Sequence, residues 1–372
     1  MKVLILNSIL FTAEKGVLPK VDSIKDCMIY NFALGFRELG HEVTLIAAEE
    51  YRPVQAETYD FEILFLKSNL KGLFKVSYFP LHLSLWPVLK KRKDEFDLII
   101  SSESFSTSSL IASLIAPSKL LIRQELFLHN RKWFKLPSLF WYNTIVRLFY
   151  RNVSIVPCSK RACDFISRYA SKVSKTPVEH GIRLRNLTAG ISKRNQFIVV
   201  SRLVEGKRID LILPKFARFL SKYPQYASYQ LYICGNGDME EQLKARVKEL
   251  KLEENVIFTG FMKHDELFTL LSCSKAMLVN SRKELNMVSI PEAISSGTPV
   301  ITNTVPGNIH YIQDNCLGIV DDNWGEDDLA TITENNAFFT ANCLNYREQL
   351  SNVSAADKII NIFTMSRQGC PR

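Results

Sequence analysis

The sequence predicts an α/β protein with two doubly wound domains that face a central cleft, and three observations support this. Short apolar runs rich in β-branched residues alternate with amphipathic helical periods along nearly the whole chain. The alternation lapses in a polar stretch at residues 184–196 and then begins again. The 372 residues are enough for two domains that each bury a core. Alternation of this kind is typical of mostly parallel sheets covered by helices.

The first half contains six expected strands with helices between them. Apolar residues at every third or fourth position predict a helix over residues 24–39, which ends at Gly40. Further helices are expected at 104–116 and 138–151. The expected strands cover residues 2–7, 41–48, 61–66, 97–101, 119–124 and 153–158.

The second half repeats the pattern and closes with an amphipathic helix over residues 354–363. We therefore expect an N-terminal domain over residues 1–185 and a C-terminal domain over residues 196–352, because the polar stretch between them has the composition of a linker. The strands expected in the second domain cover residues 197–201, 229–235, 255–260, 275–280, 299–302 and 317–320.

Composition excludes several classes of protein. No run of about 20 apolar residues is present, so a membrane-spanning helix is not expected. The apolar N-terminal stretch is broken at Asn7 and Ser8, which predicts a buried first strand in place of a signal peptide. The eight scattered cysteines contain no CxxC pair, which favours reduced thiols over disulfides or a zinc site. We therefore expect a cytoplasmic protein.

The net charge of +9 is concentrated in the first half of the chain. Residues 1–190 hold 27 Lys and Arg against 17 Asp and Glu, which predicts an anionic partner for this half. Segments 70–93 and 129–151 mix bases with aromatic residues, a composition typical of membrane interfaces. We expect peripheral contact with an anionic inner leaflet, and amphipathic helices with solvated charges are the alternative. Nucleic acid is not expected, because no recognition motif accompanies the charge.

Three short features in the second half follow expected strands. Arg202 and Lys207 come after the strand at 197–201, where two cations ahead of a helix can neutralise a diphosphate. Each feature has a simpler alternative, which is a solvated turn, a tight turn or a core phenylalanine. The other two features are the glycine pair Gly235 and Gly237, and the dipeptide Gly260-Phe261.

The fourth feature is a pair of carboxylates around the start of a helix. Glu284 and Glu292 follow the strand at 275–280, and Pro291 is tolerated in a first helical turn, where its missing N–H needs no partner. Acidic residues near a helix N-terminus are also a general capping device. A Gly297-Thr-Pro-Val-Ile strand follows one helix later, and the order of all four features favours a binding site over chance.

With these features in this order, the chain resembles the family-four retaining glycosyltransferases of the GT-B fold, which contain two Rossmann-like domains. The Glu-x7-Glu pair, the Gly-x-Pro-Val strand and the Arg…Lys pair carry the resemblance. It implies sugar transfer from a nucleotide-sugar donor, with a UDP-sugar favoured, to a glycan or lipid-linked acceptor of cell-surface polysaccharide or glycolipid synthesis. It implies retention without metal or other cofactor, acceptor binding by the N-terminal domain, and a final segment 353–372 that crosses back to that domain.

The resemblance also implies roles for individual residues. Arg202 and Lys207 would hold the donor diphosphate, and Glu292 would accept hydrogen bonds from the ribose hydroxyls. Glu284 would contact the transferred sugar. The remaining implied donor-site residues are Gly235, Gly237, Gly260, Phe261, Asn286, Met287 and Val288.

Three departures from the family pattern concern the catalytic contacts. Residues 285–287 replace a glycine run, and Gly16 is the only glycine where a pair is expected after the first strand. The strand at 119–124 is followed by Glu125 and not by the family's His, so either Glu125 replaces it or His129 approaches from the loop. The alternatives to a glycosyltransferase are a catalytically silent GT-B partner subunit and another nucleotide-sugar enzyme such as an epimerase.

Overall fold

The computed structural model describes residues 1–11, 21–129, 134–186 and 192–368. Gly16 and part of the polar stretch at 184–196 therefore lie outside the described residues. The chain divides into two compact units, each with its own core. The first unit is Met1–Arg183 together with the segment from Ser351 onward, and the second is Leu184–Leu350.

The first unit contains a parallel sheet whose strands match the expected ones to within two residues. Among the described residues these strands are β1 (Lys2–Leu6), β2 (Glu42–Ala48), β3 (Glu62–Leu66), β4 (Leu98–Ser102), β5 (Leu120–Gln124) and β6 (Ser154–Pro157). They pair in the order β3-β2-β1-β4-β5-β6. The order reverses beside β1, as in doubly wound sheets, and apolar clusters cover both faces.

Helices connect these strands, and the expected helices at 104–116 and 138–151 are confirmed. The helix expected from residue 24 begins later, although Ile24 is still buried. It ends ahead of Gly40, which has a left-handed φ of 81° that glycine adopts without a Cβ clash. A π-helical turn joins the fourth helix to the fifth. The helices are α1 (Met28–Glu38), α2 (Leu85–Arg92), α3 (Thr107–Ile115), α4 (Lys135–Trp141), α5 (Arg147–Phe149) and α6 (Lys160–Ile166).

The second unit repeats this architecture. Its described strands are β7 (Gln196–Val200), β8 (Gln230–Cys234), β9 (Val256–Gly260), β10 (Ala276–Leu278), β11 (Val300–Thr302) and β12 (Gly318–Val320). They pair in parallel in the order β12-β11-β10-β7-β8-β9. Its helices are α7 (Ile209–Lys222), α8 (Glu240–Glu249), α9 (His264–Cys273), α10 (Ser289–Ser295), α11 (Ile309–Asp314), α12 (Glu326–Glu334) and α13 (Asn336–Tyr346).

The closing helix α14 (Asn352–Gln368) packs against α1 of the first unit. The Asn352 side chain donates to the Asn31 carbonyl at 2.7 Å. Gly35 allows the close approach, because a Cβ there would overlap the backbone of Asn352. No helix in the described part of the chain is both long enough and apolar enough to cross a bilayer.

Parallel pairing brings the carboxyl ends of all strands in a sheet to one edge, where ligands of such folds bind. In the second unit the loops after β7, β8, β9 and β10 carry the residues expected to bind the donor. In the first unit the loops after β4, β5 and β6 carry Glu103, Glu125 and Cys158. These two sets of loops contain the candidate functional residues.

Candidate functional site

Gly235 and Gly237 bring the loop after β8 against the loop that carries Arg202. The Leu203 amide donates to the Asn236 carbonyl at 2.9 Å, and the Met239 amide donates to the Leu203 carbonyl at 2.9 Å. A Cβ at Gly235 would overlap the Ser201 carbonyl, and one at Gly237 would overlap the Leu203 carbonyl. The glycines therefore allow one loop backbone to pack on another. Contact between these glycines and a donor remains a prediction.

Gly260 and Phe261 lie at the end of β9. The Gly235 amide donates to the Gly260 carbonyl at 2.8 Å, and Gly260 has a left-handed φ of 67°. Phe261 is 78% exposed, which argues against the alternative of a core phenylalanine. An exposed ring beside a strand end is suited to stacking on a planar base.

Lys207 and Glu284 form an ion pair that sequence spacing did not predict. Lys207 ends a short 3-10 turn after β7, and its Nζ contacts Oε2 of Glu284, from the loop after β10. Their side chains are only 15% and 18% exposed, so solvent screens the pair weakly. The expected phosphate cation and the expected sugar contact therefore lie together, and Arg202 is exposed on the same loop as Lys207.

Gly307 and Asn308 form hydrogen bonds to the loop that contains Asn286, Met287 and Val288. Neither residue was predicted from the sequence to belong to the site. The Gly307 amide donates to the Leu285 carbonyl at 2.5 Å. The fully buried Asn308 donates from Nδ2 to the Met287 carbonyl at 3.1 Å. A signal was present, since Pro-Gly-Asn after an expected strand indicates a turn. Met287 is buried by this packing, whereas the side chain of Val288 is exposed.

Helix α10 places Glu292 in its first turn. The Ser289 hydroxyl donates to the Val200 carbonyl at 3.1 Å, which fixes the start of α10 to the end of β7. Pro291 lies in the first turn, as predicted. Burial raises the pKa of Glu292 to about 7, although nearby Arg185 opposes the shift. His264 Nδ1 lies 3.7 Å from Oε1 of Glu292, so a basic residue also faces this carboxyl group.

In the first unit, Glu125 follows β5 and contacts a histidine from a distant segment. Oε1 of Glu125 lies 2.8 Å from Nε2 of His180. The Glu103 carboxylate accepts the backbone amides of Glu125 at 2.8 Å and Leu126 at 3.0 Å. Burial opposes ionisation of Glu125, but His180 and Arg123 outweigh it and lower the pKa. Burial and the adjacent Glu125 raise the pKa of Glu103.

His129 occupies a different environment from Glu125. Its Nδ1 lies 3.1 Å from the Ser138 hydroxyl, and its Nε2 lies 2.9 Å from the Tyr169 hydroxyl. The ring also packs edge-on against Tyr142 and Phe165. Both ring nitrogens therefore have hydroxyl partners within the first unit, and a role for Glu125 or His129 at the end of β5 stays a prediction.

Glu125, Cys158 and His180 have the residue types of a metal site, but their surroundings disfavour a cation. Their ligand atoms all lie within 4.8 Å of one another. However, the buried Arg123 guanidinium donates to the Cys158 sulfur at 3.1 Å, so a metal ion would face a fixed positive charge. Burial also raises the pKa of the Cys158 thiol, which disfavours the thiolate that metals bind.

The sequence of the second unit matches a known protein family. Residues 186–331 match the family described as Glycosyl transferases group 1. The second unit therefore carries the match to the group 1 glycosyltransferases. The matched region contains Arg202, Lys207, Glu284 and Glu292, and within it the predicted resemblance is confirmed.

Two curated proteins are similar in sequence to part of this chain. The alpha-monoglucosyldiacylglycerol synthase of Streptococcus pneumoniae is 29% identical over 211 residues, which are 52% of this chain and 46% of that protein. The mannosylfructose-phosphate synthase of Agrobacterium fabrum is 31% identical over 118 residues, which are 30% and 26% of the two chains. The chain therefore matches less than half the length of these relatives.

Solved glycosyltransferase structures align with nearly the whole chain. Anabaena HepE, solved with UDP and glucose, has 14% identity and a TM-score of 0.65, and the match covers 98% of this chain and 100% of that one. The lipopolysaccharide outer core galactosyltransferase WaaB, solved in its apo form, has 16% identity and a TM-score of 0.67, with 98% and 99% covered. At such identities the similarity shows the fold, and the predicted GT-B fold of two Rossmann-like domains is confirmed.

Proposed function

We propose that this protein transfers a sugar from a nucleotide-sugar donor to a glycan or lipid-linked acceptor of cell-surface polysaccharide or glycolipid synthesis. The observation that carries the proposal is the ion pair between Lys207 and Glu284 in loops that follow two strands of the region matching the group 1 glycosyltransferases. A UDP-sugar is the favoured donor because HepE was solved with UDP, and a GDP-sugar is the alternative. Acceptor binding is assigned to the first unit.

The proposed reaction follows from where charge develops. When the bond from the anomeric carbon to the diphosphate oxygen breaks, positive charge builds on the sugar and negative charge on the leaving diphosphate. Arg202 and Lys207 stabilise that negative charge, while Glu284 accepts hydrogen bonds from sugar hydroxyls. The acceptor hydroxyl attacks the face that the diphosphate leaves and passes its proton to the leaving phosphate oxygen. This route retains the anomeric configuration and needs neither a protein nucleophile nor a metal.

A thermal-shift screen with UDP, GDP, ADP, dTDP and their sugars tests the proposal. A nucleotide present at 100 times its Kd stabilises the native state by about 2.7 kcal/mol, so the correct one will raise Tm above the others. We expect the UDP compounds to do so, and the matching UDP-sugar to be turned over. Absence of any nucleotide effect would contradict the proposal, and binding without turnover of any donor would favour the silent partner subunit.

We also propose that the first unit binds peripherally to an anionic membrane. Residues 67–93 and 134–151 contain ten Lys and Arg and no acidic residue. The two segments meet where the rings of Tyr78 and Phe134 lie 4.8 Å apart. Apolar and aromatic side chains along them are exposed beside these bases, a combination suited to an anionic lipid surface. The exposed side chains are Leu70, Leu73, Tyr78, Leu83, Trp86, Leu136, Phe140, Leu148 and Phe149.

Vesicle flotation tests this membrane surface. The double variant Lys90→Glu/Lys91→Glu is expected to weaken binding to phosphatidylglycerol vesicles about tenfold or more, since each base near an anionic surface contributes about 1 kcal/mol. Phe140→Ser should weaken it through lost apolar insertion. Phe338→Ser, an exposed aromatic of the second unit, is the matched control and should float as the unchanged protein does. No flotation of the unchanged protein at low salt would refute the membrane proposal.

A further inference from the structure

The contact between Glu125 and His180 joins two residues of the first unit that are far apart in sequence. Glu125 follows β5, whereas His180 lies in the segment that leads to the end of this unit. The Nε2–Oε1 distance of 2.8 Å is that of a hydrogen bond. The Glu125 side chain is 32% exposed and that of His180 only 11%, so the carboxylate is the outer member and the imidazole the inner one.

The backbone around His180 is fixed by close packing. Gly181 has a left-handed φ of 71°, and a Cβ there would overlap the backbone of Ser351 and Asn352. The Asn352 amide donates to the Ile182 carbonyl at 2.8 Å, and Phe32 of α1 packs edge-on against the imidazole. His180 is therefore held in place independently of its contact with Glu125.

The protonation states define which atom donates. Burial and the adjacent Arg123 lower the pKa of His180, and Glu125 opposes the shift. An ionised carboxylate can only accept, and the Nε2–H of His180 is therefore the donor. Among the described residues, Arg123, Glu103 and Cys158 are titratable groups beside this pair, and Glu179 interacts with Arg123 and Cys158. The Glu103 carboxyl group fixes the backbone of Glu125 by accepting the amides of residues 125 and 126.

We propose that His180 is a positioning residue that keeps the Glu125 carboxylate ionised and oriented, so that its remaining acceptor positions bind a hydroxyl group of the acceptor. This inference rests on the proposed glycosyl transfer and assigns the acceptor-hydroxyl contact to the first unit. Glu125 supplies the contact, since it is the exposed member of the pair. His180 acts only through Glu125, because its donor nitrogen is already used.

Substitutions that retain or remove the donor test the inference. His180→Gln keeps an N–H that can reach the carboxylate, whereas His180→Phe keeps the ring volume without a donor. Measured at saturating nucleotide sugar, His180→Phe is expected to lower kcat/KM for the acceptor about 10- to 100-fold, the factor that corresponds to one lost hydrogen bond to a charged group. His180→Gln should retain most of the activity. The nucleotide affinity of both variants should equal that of the unchanged protein.

The pH profile separates positioning from general destabilisation. Without the imidazole N–H, the pKa of Glu125 rises, so acceptor kcat/KM of His180→Phe should fall further as the pH is lowered from 8 to 6 relative to the unchanged protein. An equal loss in both variants at every pH, or no loss in either, would overturn the inference. Saturating donor is needed so that titration of Glu292 does not contribute.

A spectroscopic measurement keeps the inference testable without turnover. The Glu125 carboxyl signal, assigned by its loss in Glu125→Gln, can be titrated by carbon NMR in uniformly labelled protein. We expect a depressed pKa in the unchanged protein and in His180→Gln, and an ordinary or raised pKa in His180→Phe. The same pKa in all three proteins would overturn the role of His180, whereas failure of the proposed function would appear as absent nucleotide binding and turnover in the unchanged protein.

Discussion

Lys207→Met is expected to lower kcat for sugar transfer about 10²- to 10³-fold, the usual effect of removing one group that stabilises developing negative charge. The ammonium is largely buried and paired with Glu284, so it is held in place before the donor binds. Its removal also leaves the Glu284 carboxylate without its partner in a poorly solvated position, which should lower the free energy of unfolding by about 2 kcal/mol. Transfer assays and urea unfolding measure the two effects separately.

The double variant Lys207→Met/Glu284→Gln distinguishes the two roles of the lysine. Removing both charges should restore most of the stability, because no uncompensated charge remains, but it should not restore turnover. Lys244→Met is the matched control, since Lys244 pairs with Glu240 on an exposed helix surface at 2.8 Å. That variant should change neither kcat nor stability appreciably. Full recovery of kcat in the double variant would show that Lys207 acts only by neutralising Glu284.

Nucleotide affinity is expected to increase about tenfold between pH 6 and pH 8 through the titration of Glu292. Burial raises the pKa of this carboxyl group to about 7. The ionised form accepts hydrogen bonds from both ribose hydroxyls, whereas the protonated form has one oxygen occupied by its own proton. Below the pKa, each pH unit therefore weakens the apparent affinity about tenfold. Calorimetric titration of the nucleotide across this pH range measures the effect.

Glu292→Gln supplies the control for this pH dependence. The variant should bind nucleotide more weakly, and its affinity should not change with pH between 6 and 8, because the titrating carboxyl group is gone. Glu292→Ala should also weaken nucleotide binding, whereas Glu284→Ala should mainly impair turnover. The same pH dependence in the unchanged protein and in Glu292→Gln would show that a group other than Glu292 causes it.

The raised pKa of Glu292 also predicts how stability depends on pH. The folded protein holds this proton more tightly than the unfolded chain does, so the free energy of unfolding should decrease as the pH rises from about 4.5 to about 7. The contribution is at most about 3 kcal/mol and should be absent in Glu292→Gln. Urea unfolding at pH 5 and pH 8 compares the two proteins, and bound nucleotide should offset the loss at the higher pH.

Local patterns were sufficient to predict most of the fold. A buried strand in a parallel sheet is a short run of apolar residues, and a helix that covers it repeats its apolar positions at a period of 3.6. Both signals lie within a few consecutive residues, so the strands were located to within two residues. The start of α1 was missed because Ile24 is buried in a turn before the helix, and burial alone does not distinguish the two.

Local sequence patterns also predicted part of the candidate site, but not the contacts between its loops. The placement of Glu292 in the first turn of α10 depends on Pro291 and the helix that follows, all within one short segment. The bracing of Met287 by Asn308 depends on the packing of two loops that follow different strands. A turn signal marked the second loop but gave no information on which backbone groups it would contact.

The sequence by itself determined the family that residues 186–331 match, the strands and helices, and the positions of Lys207, Glu284 and Glu125 after strands and of Glu292 in a helix start. Only the tertiary structure decided their partners. Parallel pairing brings together strand ends that are distant in sequence, and the directions of the side chains there depend on loop packing that no spacing encodes. That is why Lys207 pairs with Glu284. Packing of a non-strand segment likewise brings His180 to Glu125.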